Sequence, residues 1–443
     1  MRHRLFYLLL CGPALLCGQI DPTQALLEIR RQVAASTNRL PNYMCTETVE
    51  RETFQPSFSV RAHNADSCDQ IIESAAKSPN DFKLASIDRL RLDVALGGAA
   101  EMYSWVGEGR FDDRALSEIV KQGTTSTGAF GSFLHAIFVS DAATFSFKGE
   151  SQLAGRQVLE YGFEVPITRS GYIVSNQTLN RVTAYSGKFT ADANTFDLLR
   201  LEIRTDQLAP ELEICQSTTT LDYTKARMSG VNVLLPSEAN VRMLANNGRE
   251  SHNRTVFSGC HQFLGESKLI FDDPPASAQT PASASAKSKT VTLSDGLKVS
   301  VALTQSIDPA TAAAGDPVTG RLTRPIKDQS IDLTIPKGAK VNGRVFGLLS
   351  VYVGGNNLEF ALKWESIELD GVSHPLDLSL KGAISGSAKL PVIRGHFPEI
   401  RSGLRAEQRG VGFFLFPEVF ENYQIPAGFE TEWVTLPALP SSK

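Results

Sequence analysis

Apolar positions recur with a helical period at the start of the chain and with a two-residue period through most of the rest. Asp21-Pro22 supplies an N-cap and a first-turn proline. Ala25, Leu26, Ile29, Val33 and Leu40 then recur near helical spacing until Pro41. Tyr43 to Phe54 reads as a long strand. Leu90, Leu92 and Val94 alternate with charged residues, Gly97-Gly98 turns the chain, and Met102 to Gly107 returns. Two helical segments follow, one over 112–122 behind the cap Phe111-Asp112-Asp113 and one over 128–139. On the second, Phe130, Phe133, Leu134, Ile137 and Phe138 form one broad apolar stripe. Strands resume at Thr144–Lys148, Gln157–Val165, Val182–Phe189, Leu198–Arg204, Glu213–Tyr223, Val231–Leu235, Glu238–Leu244, Arg249–Phe257 and Glu266–Phe271. No helical crossovers separate them, so the sheet is expected to be antiparallel.

Residues 273–290 are rich in Pro, Ala and Ser and read as a linker. It divides a domain over 21–272 from a second over 291–436, with a frayed tail over 437–443. The second domain alternates at Val299, Val301 and Leu303 and again at Leu358, Phe360, Leu362 and Trp364. Ile335-Pro336-Lys337-Gly338 and Ile425-Pro426-Ala427-Gly428 are matching turns, and Asp370-Gly371 is a hairpin signal. The run Phe413-Phe414-Leu415-Phe416 reads as a core strand. The expected fold class is mainly β with a few helices (α+β). A curved antiparallel half-barrel sheet covered by helices precedes the linker, and a small all-β barrel or sandwich follows it.

With 443 residues there is length for two or three domains, and 42% apolar against 21% charged residues is ordinary for a folded protein. A net charge of −4 argues against a nucleic-acid binder. Met1-Arg2-His3-Arg4, the apolar run from Leu5 to Cys17, and Gly18 read as a signal peptide over 1–18, which implies a periplasmic or secreted chain. Acylation at Cys17, as an outer-membrane lipoprotein, is the alternative. No later run approaches about 18 apolar residues, so no transmembrane helix is expected in the mature chain.

Cys45, Cys68, Cys215 and Cys260 remain after the leader. An even count in an exported chain favours two disulfides. Of the three possible pairings, Cys45–Cys68 with Cys215–Cys260 is preferred, each stapling neighbouring strands. The wide spacings and lack of a C-x-x-C pair argue against zinc. His63, His135, His252, His261, His374 and His396 fall in no ligand spacing. No G-x-S-x-G elbow is present. Asp112-Asp113 and Asp272-Asp273 sit at capping and solvated positions. Gly128-Ala129-Phe130-Gly131-Ser132 places two glycines before a helix, a geometry able to hold an anion. It lacks the lysine of a phosphate loop and reads as a cap and close-packing device. No enzyme, cofactor or metal is therefore expected.

The N-terminal helix, the run of antiparallel strands and the covering helices resemble the periplasmic lipoprotein carriers of the LolA and LolB type and the related RseB-like domains. The stretch Ser186 to Leu201, with its strand, Asp192-to-Thr195 turn and strand, carries the local likeness. The opening Leu40-Pro-Asn-Tyr-Met-Cys45 and the closing Phe257-Ser-Gly-Cys260 are similar to a group of exported Acidobacteria-type proteins. The second domain resembles the VirB10 and TrbI type β-barrel through Leu333 to Ala339, Val341 to Val345 and Leu358 to Trp364. The first resemblance implies an open sheet around an apolar groove that takes acyl chains. The groove residues expected here are Phe130, Phe133, Leu134, Ile137, Phe138 and Leu92. The expected role is an exported, non-catalytic cell-envelope protein binding a lipid, a lipoprotein acyl chain or a partner peptide. The alternative is a structural or assembly module presenting surfaces to other envelope proteins.

Overall fold

The computed structural model describes residues 21–39, 43–56, 67–77, 82–97, 100–108, 111, 114–176, 178–206, 208–228, 230–262, 291–384, 399–404, 408–420 and 422–437. The leader, the linker, the strand expected at Glu266–Phe271, the Asp112-Asp113 and Asp272-Asp273 pairs, His63, His396 and all but the first residue of the tail lie outside them.

The first part of the chain runs α1 (Pro22–Arg39), β1 (Tyr43–Pro56), α2 (Cys68–Lys77), β2 (Phe82–Gly97), β3 (Ala100–Trp105) and α3 (Leu116–Ile119). Then come α4 (Ser132–Leu134), which passes into a π-helical turn at His135–Val139, β4 (Thr144–Leu153) and β5 (Arg156–Val165). A short hairpin of β6 (Ile173–Ser175) and β7 (Asn180–Val182) precedes β8 (Ala184–Asp192), β9 (Leu198–Asp206), β10 (Ile214–Met228), β11 (Val231–Ala245) and β12 (Glu250–Gln262). All ladders are antiparallel, in the order β4-β5-β8-β9-β10-β11-β12-β1-β2-β3. This is an open sheet, as expected. Asp21 Oδ1 accepts the Thr23 N–H at 2.8 Å and caps α1, whose Ala25, Ile29 and Val33 are buried against the sheet.

The strands expected at Val231–Leu235 and Glu238–Leu244 are one strand, because a bulge absorbs Pro236-Ser237 opposite Asp222 and Tyr223. The helix expected over 112–122 shrinks to α3. The helix expected over 128–139 is one α turn and one π turn. Helix α2 was not expected; its only deep side chains are Ile71 and Ala75, too few to make a visible stripe.

The second part runs β13 (Lys298–Leu303), β14 (Pro317–Leu322), the hairpin β15 (Ile326–Asp328) and β16 (Leu333–Ile335), β17 (Lys340–Val351), β18 (Asn357–Leu369), β19 (Val372–Pro375), β20 (Leu378–Ala383), β21 (Arg401–Gly403), β22 (Val411–Phe416) and β23 (Glu430–Thr435). Its main ladder is β22-β18-β17-β14-β13-β23-β20, again antiparallel. Trp364 and Trp433 are fully buried in its core, as are Phe414 and Phe416 of β22. Asp370 and Gly371 both have positive φ, at 48° and 77°, the turn a two-residue hairpin demands.

The two parts are joined through strand β2. Its outer edge is shared: residues 92–97 pair with β3, while Ser86–Asp88 pair with Leu349–Val351 of β17. Between them, Arg91 N–H donates to Ala314 O at 2.7 Å and Ala314 N–H to Arg89 O at 2.8 Å. An edge that would otherwise expose unpaired backbone groups is thus covered. Arg344, buried in β17, donates to Val106 O at 2.9 Å and Gly315 O at 2.7 Å, and Arg91 pairs with Asp316. Gly315 has φ +106°, and a Cβ there would lie 2.1 Å from Arg91 O, so only glycine fits this approach.

Candidate functional site

Residues 128–139, called the lid below, pack across the covered face of the first sheet. Phe130, Phe133, Leu134, Ile137 and Phe138 all point inward and are buried. Phe133, Leu134, Ile137 and Phe138 pack with α1 and with Leu159, Tyr161, Phe163, Tyr185 and Phe189 of the sheet. Phe138 meets Phe189 edge-on at 4.9 Å. Phe130 lies in a neighbouring cluster with Leu92, Tyr43 and Trp105, and its ring is 5.3 Å from that of Tyr43. The six residues expected to line a groove therefore fall into two adjoining clusters, and Leu92 does not join the Phe133–Phe138 cluster. In this conformation lid side chains fill the space around them.

The lid is held by polar contacts at both ends. The Glu101 carboxylate on β3 accepts the N–H of Gly128 at 2.7 Å and of Phe130 at 2.9 Å. The anion-holding geometry at Gly128 to Ser132 is thus filled by the chain's own carboxylate. Gly128, at φ +100°, supplies the left-handed turn that presents those donors. At the far end Arg30 Nε of α1 donates to Phe138 O at 2.9 Å.

Under the start of the lid lies a buried polar cluster. Strand β1 alternates inward at Tyr43, Cys45, Glu47, Val49 and Arg51, so the strand period carries Glu47 into the interior. Burial, reinforced by the nearby Glu101 charge, pushes the Glu47 carboxyl up to about 8, so it holds its proton at neutral pH. Tyr103 donates to Glu101 at 2.7 Å, and burial above all raises its phenol well above the usual range. Burial likewise raises Tyr43 and Tyr223. The Tyr43 hydroxyl is buried without a hydrogen-bond partner. Glu47, Glu101 and Tyr43 were not singled out from the sequence. The available signal was the in-phase placement of Glu47 and Arg51 on the apolar side of β1, which a solvent-facing strand would not need.

All four cysteines are bonded, but the expected pairing is corrected. Cys45 joins Cys260, with Cα atoms 4.1 Å apart, and Cys68 joins Cys215 at 5.0 Å. The reason is topological: β12 closes beside β1, so the first and last strands of the chain's first part are neighbours. Cys68 opens α2, which packs on β10 where Cys215 sits. Three histidines make local contacts: His374 Nδ1 accepts the Val291 N–H at 3.1 Å, His252 lies tilted against Phe54 with ring centroids 4.7 Å apart, and His261 meets Gly259 O at 2.7 Å. Among the described residues no group of three or more His, Cys, Asp and Glu is placed to hold a metal, and no helix is long and apolar enough to cross a membrane.

No protein-family model and no curated protein matches the chain. Among solved structures it is similar to a DUF1329 family protein from Desulfovibrio piger, at 10% identity and TM-score 0.28, covering 57% of this chain and 98% of that one. It is also similar to a putative outer membrane lipoprotein-sorting protein domain from Vibrio parahaemolyticus, at 11% identity and TM-score 0.26, covering 53% and 90%. A LolA superfamily protein from Nitrosomonas europaea matches at 9% identity and TM-score 0.24, covering 56% and 97%. Likeness at these TM-scores carries no weight for function.

Proposed function

We infer that this chain is a non-catalytic binding protein of the cell envelope that takes an amphipathic, lipid-like ligand inside the open sheet, beneath the 128–139 lid. The observation that supports it is the polar cluster under the lid. A protonated carboxyl, a second carboxylate and an unpartnered tyrosine hydroxyl sit beside an aromatic interior, and burying such groups costs stability that an all-apolar core would keep. They offer a head-group site next to an apolar bed. Two disulfides fit an oxidising compartment outside the cytoplasm.

Magnitudes define the ligand. Lifting five large apolar side chains out of the interior costs about 1.5–3 kcal/mol each, or about 8–15 kcal/mol in all. A ligand must return a similar amount by taking their place. At about 0.8 kcal/mol per buried CH₂, that requires a chain of roughly 10–19 carbons. Short acids and small aromatics fall short.

A second reading, an assembly module, is favoured by β4. Among the described residues it pairs only with β5, so its outer edge is free for strand addition, and Phe147 on it is exposed. One experiment separates the two. The mature protein is purified from a bacterial envelope without detergent, extracted into chloroform–methanol and analysed by mass spectrometry. A long-chain lipid near one per chain is expected. Lipid-free protein that also takes none from phospholipid vesicles, but carries a stoichiometric partner, would favour the assembly role.

A further inference from the structure

The excursion between β5 and β8 carries an apolar face that the fold leaves uncovered. In the β6–β7 hairpin Ile173 and Val182 are direct cross-strand partners, so their side chains share one face, at 55% and 45% exposure. Val174 points to the other face and is buried, so the hairpin sits on the body with the Ile173–Val182 face outward. Ile167, on the turn leading into the hairpin, is also exposed. Scattered exposed apolar residues are ordinary, but three of the ten large ones among the described residues gather in this one short excursion.

Its charge is one-sided. Residues 166–183 contain Arg169 and Arg181 and no Asp or Glu, in a chain of net charge −4. Arg169 Nη1 donates to Asp141 O at 2.9 Å and Arg181 Nη1 to Asn180 O at 3.1 Å, carbonyl contacts that leave both charges unneutralised. Asp141 and Asp206, on adjoining segments, have their own partners in Arg30 at 3.6 Å and Arg204 at 3.7 Å. Glu164 precedes the excursion, and Glu211 meets the hairpin through its carbonyl, which accepts the Asn176 amide at 3.0 Å. Acidic groups thus flank the excursion, and the arginines lie within it. Phe420, at 66% the most exposed large apolar side chain among the described residues, sits instead between Glu418 and Glu421.

The hairpin is also tied to the lid. The Tyr172 ring meets Phe133 edge-on at 5.4 Å and Tyr185 at 5.5 Å, and Tyr172 O accepts the Thr183 N–H at 3.0 Å. Arg169 reaches Asp141 just past the lid's last residue. In strand order the excursion lies far from β2, where the two parts of the chain meet in a seam.

We propose that Ile167, Ile173 and Val182 dock this face on an anionic phospholipid bilayer, with Arg169 and Arg181 on the lipid phosphates, and so bring the end of the lid to the membrane for ligand exchange. The exchange rests on the lid site proposed above; the docking does not. Aliphatic side chains enter the boundary between head groups and acyl chains, while the long arginine stems keep each guanidinium at the phosphates. Each arginine contributes about fivefold to binding at an anionic surface, an effect that salt screens.

The test floats the full mature chain with vesicles of phosphatidylethanolamine and phosphatidylglycerol, three to one, and with vesicles of phosphatidylcholine alone. Binding to the anionic vesicles is expected to be at least tenfold stronger than to the neutral ones. Ile173→Thr/Val182→Thr keeps the β-branched shape that suits a strand and removes apolar surface; it is expected to unfold at the parent's temperature and to bind at least tenfold more weakly. Arg169→Gln/Arg181→Gln is expected to lose the preference for anionic vesicles, and Phe420→Ser to bind as the parent does. Trp105, Trp364 and Trp433 are all buried, so in Ile173→Trp a blue shift of emission on anionic vesicles reports the hairpin alone, whether or not the double variant folds. No flotation, flotation retained by a folded Ile173→Thr/Val182→Thr protein, or no blue shift would overturn the docking. Uptake of a sixteen-carbon fatty acid from cyclodextrin tests the lid site separately. Uptake without flotation would overturn the docking alone, and flotation without uptake the lid site alone.

Discussion

Replacing Glu47 with glutamine tests whether a carboxyl is held protonated beneath the lid. Glutamine keeps the shape of the protonated acid and cannot ionise. In the unfolded chain a glutamate titrates near its ordinary value of 4.5, while in the folded chain burial and Glu101 raise it to about 8. Below about pH 4.5 both states hold the proton and the group is neutral for stability. As pH rises from there toward 8, the unfolded chain releases the proton and the folded chain keeps it. Stability therefore falls by about 1.4 kcal/mol per pH unit across that window. Over the 2.5 units from 4.5 to 7 the loss is roughly 3 kcal/mol, on the order of a third of a typical domain's stability. Glu47→Gln is thus expected to match the parent near pH 4 and to exceed it by roughly 3 kcal/mol at pH 7. Urea denaturation of both proteins from pH 4 to 8.5 measures the difference directly, and subtracting the two curves removes every other titrating group. Parallel curves would refute the reasoning, since they would mean that Glu47 ionises in the folded state as it does in the unfolded one.

Glu101→Ala removes the acceptor of two lid N–H groups, at about 1–3 kcal/mol for each donor left unpaired; hydrogen exchange is expected to accelerate over 128–139 and to stay unchanged in the β13–β14 hairpin. Gly315→Ala drives a Cβ into Arg91 O, so a loss above about 2 kcal/mol and separate unfolding of the two parts are expected, read by calorimetry and limited proteolysis. Replacing Cys45 and Cys260 together by serine opens a loop that the nested Cys68–Cys215 bond shortens to roughly 70 residues, for which loop-closure entropy gives about 4 kcal/mol; reductant should then destabilise the parent more than the variant, which keeps only Cys68–Cys215, in urea titrations.

Strand existence was legible because period-2 alternation survives wherever one face is buried, as at Leu90, Leu92 and Val94. The lid was legible as an apolar stripe at Phe130 to Phe138, but not as a π turn, since the stripe is the same for either helix. Pairing between distant strands was not legible. Nothing near Cys45 in sequence announces that β12 will lie beside it, and the preference for local cysteine pairs failed for that reason. The docking of β17 onto β2 was equally hidden, because Ser86–Asp88 and Leu349–Val351 are short and carry no complementary pattern of their own. Glu47 was visible only as a polar residue in phase with an apolar face. That signal becomes meaningful once the face is known to be interior.

The central claim, that the interior beneath the lid takes a long-chain amphipath, is tested most directly by photo-crosslinking with a sixteen-carbon fatty acid carrying a diazirine at its tail, followed by peptide mapping. Adducts are expected on the lid peptide containing Phe133 and Phe138 and on the facing strands that carry Tyr161 and Phe189. Adducts confined to the outer edge of β4 or to the seam around Phe346, or none above a lipid-free control, would contradict it.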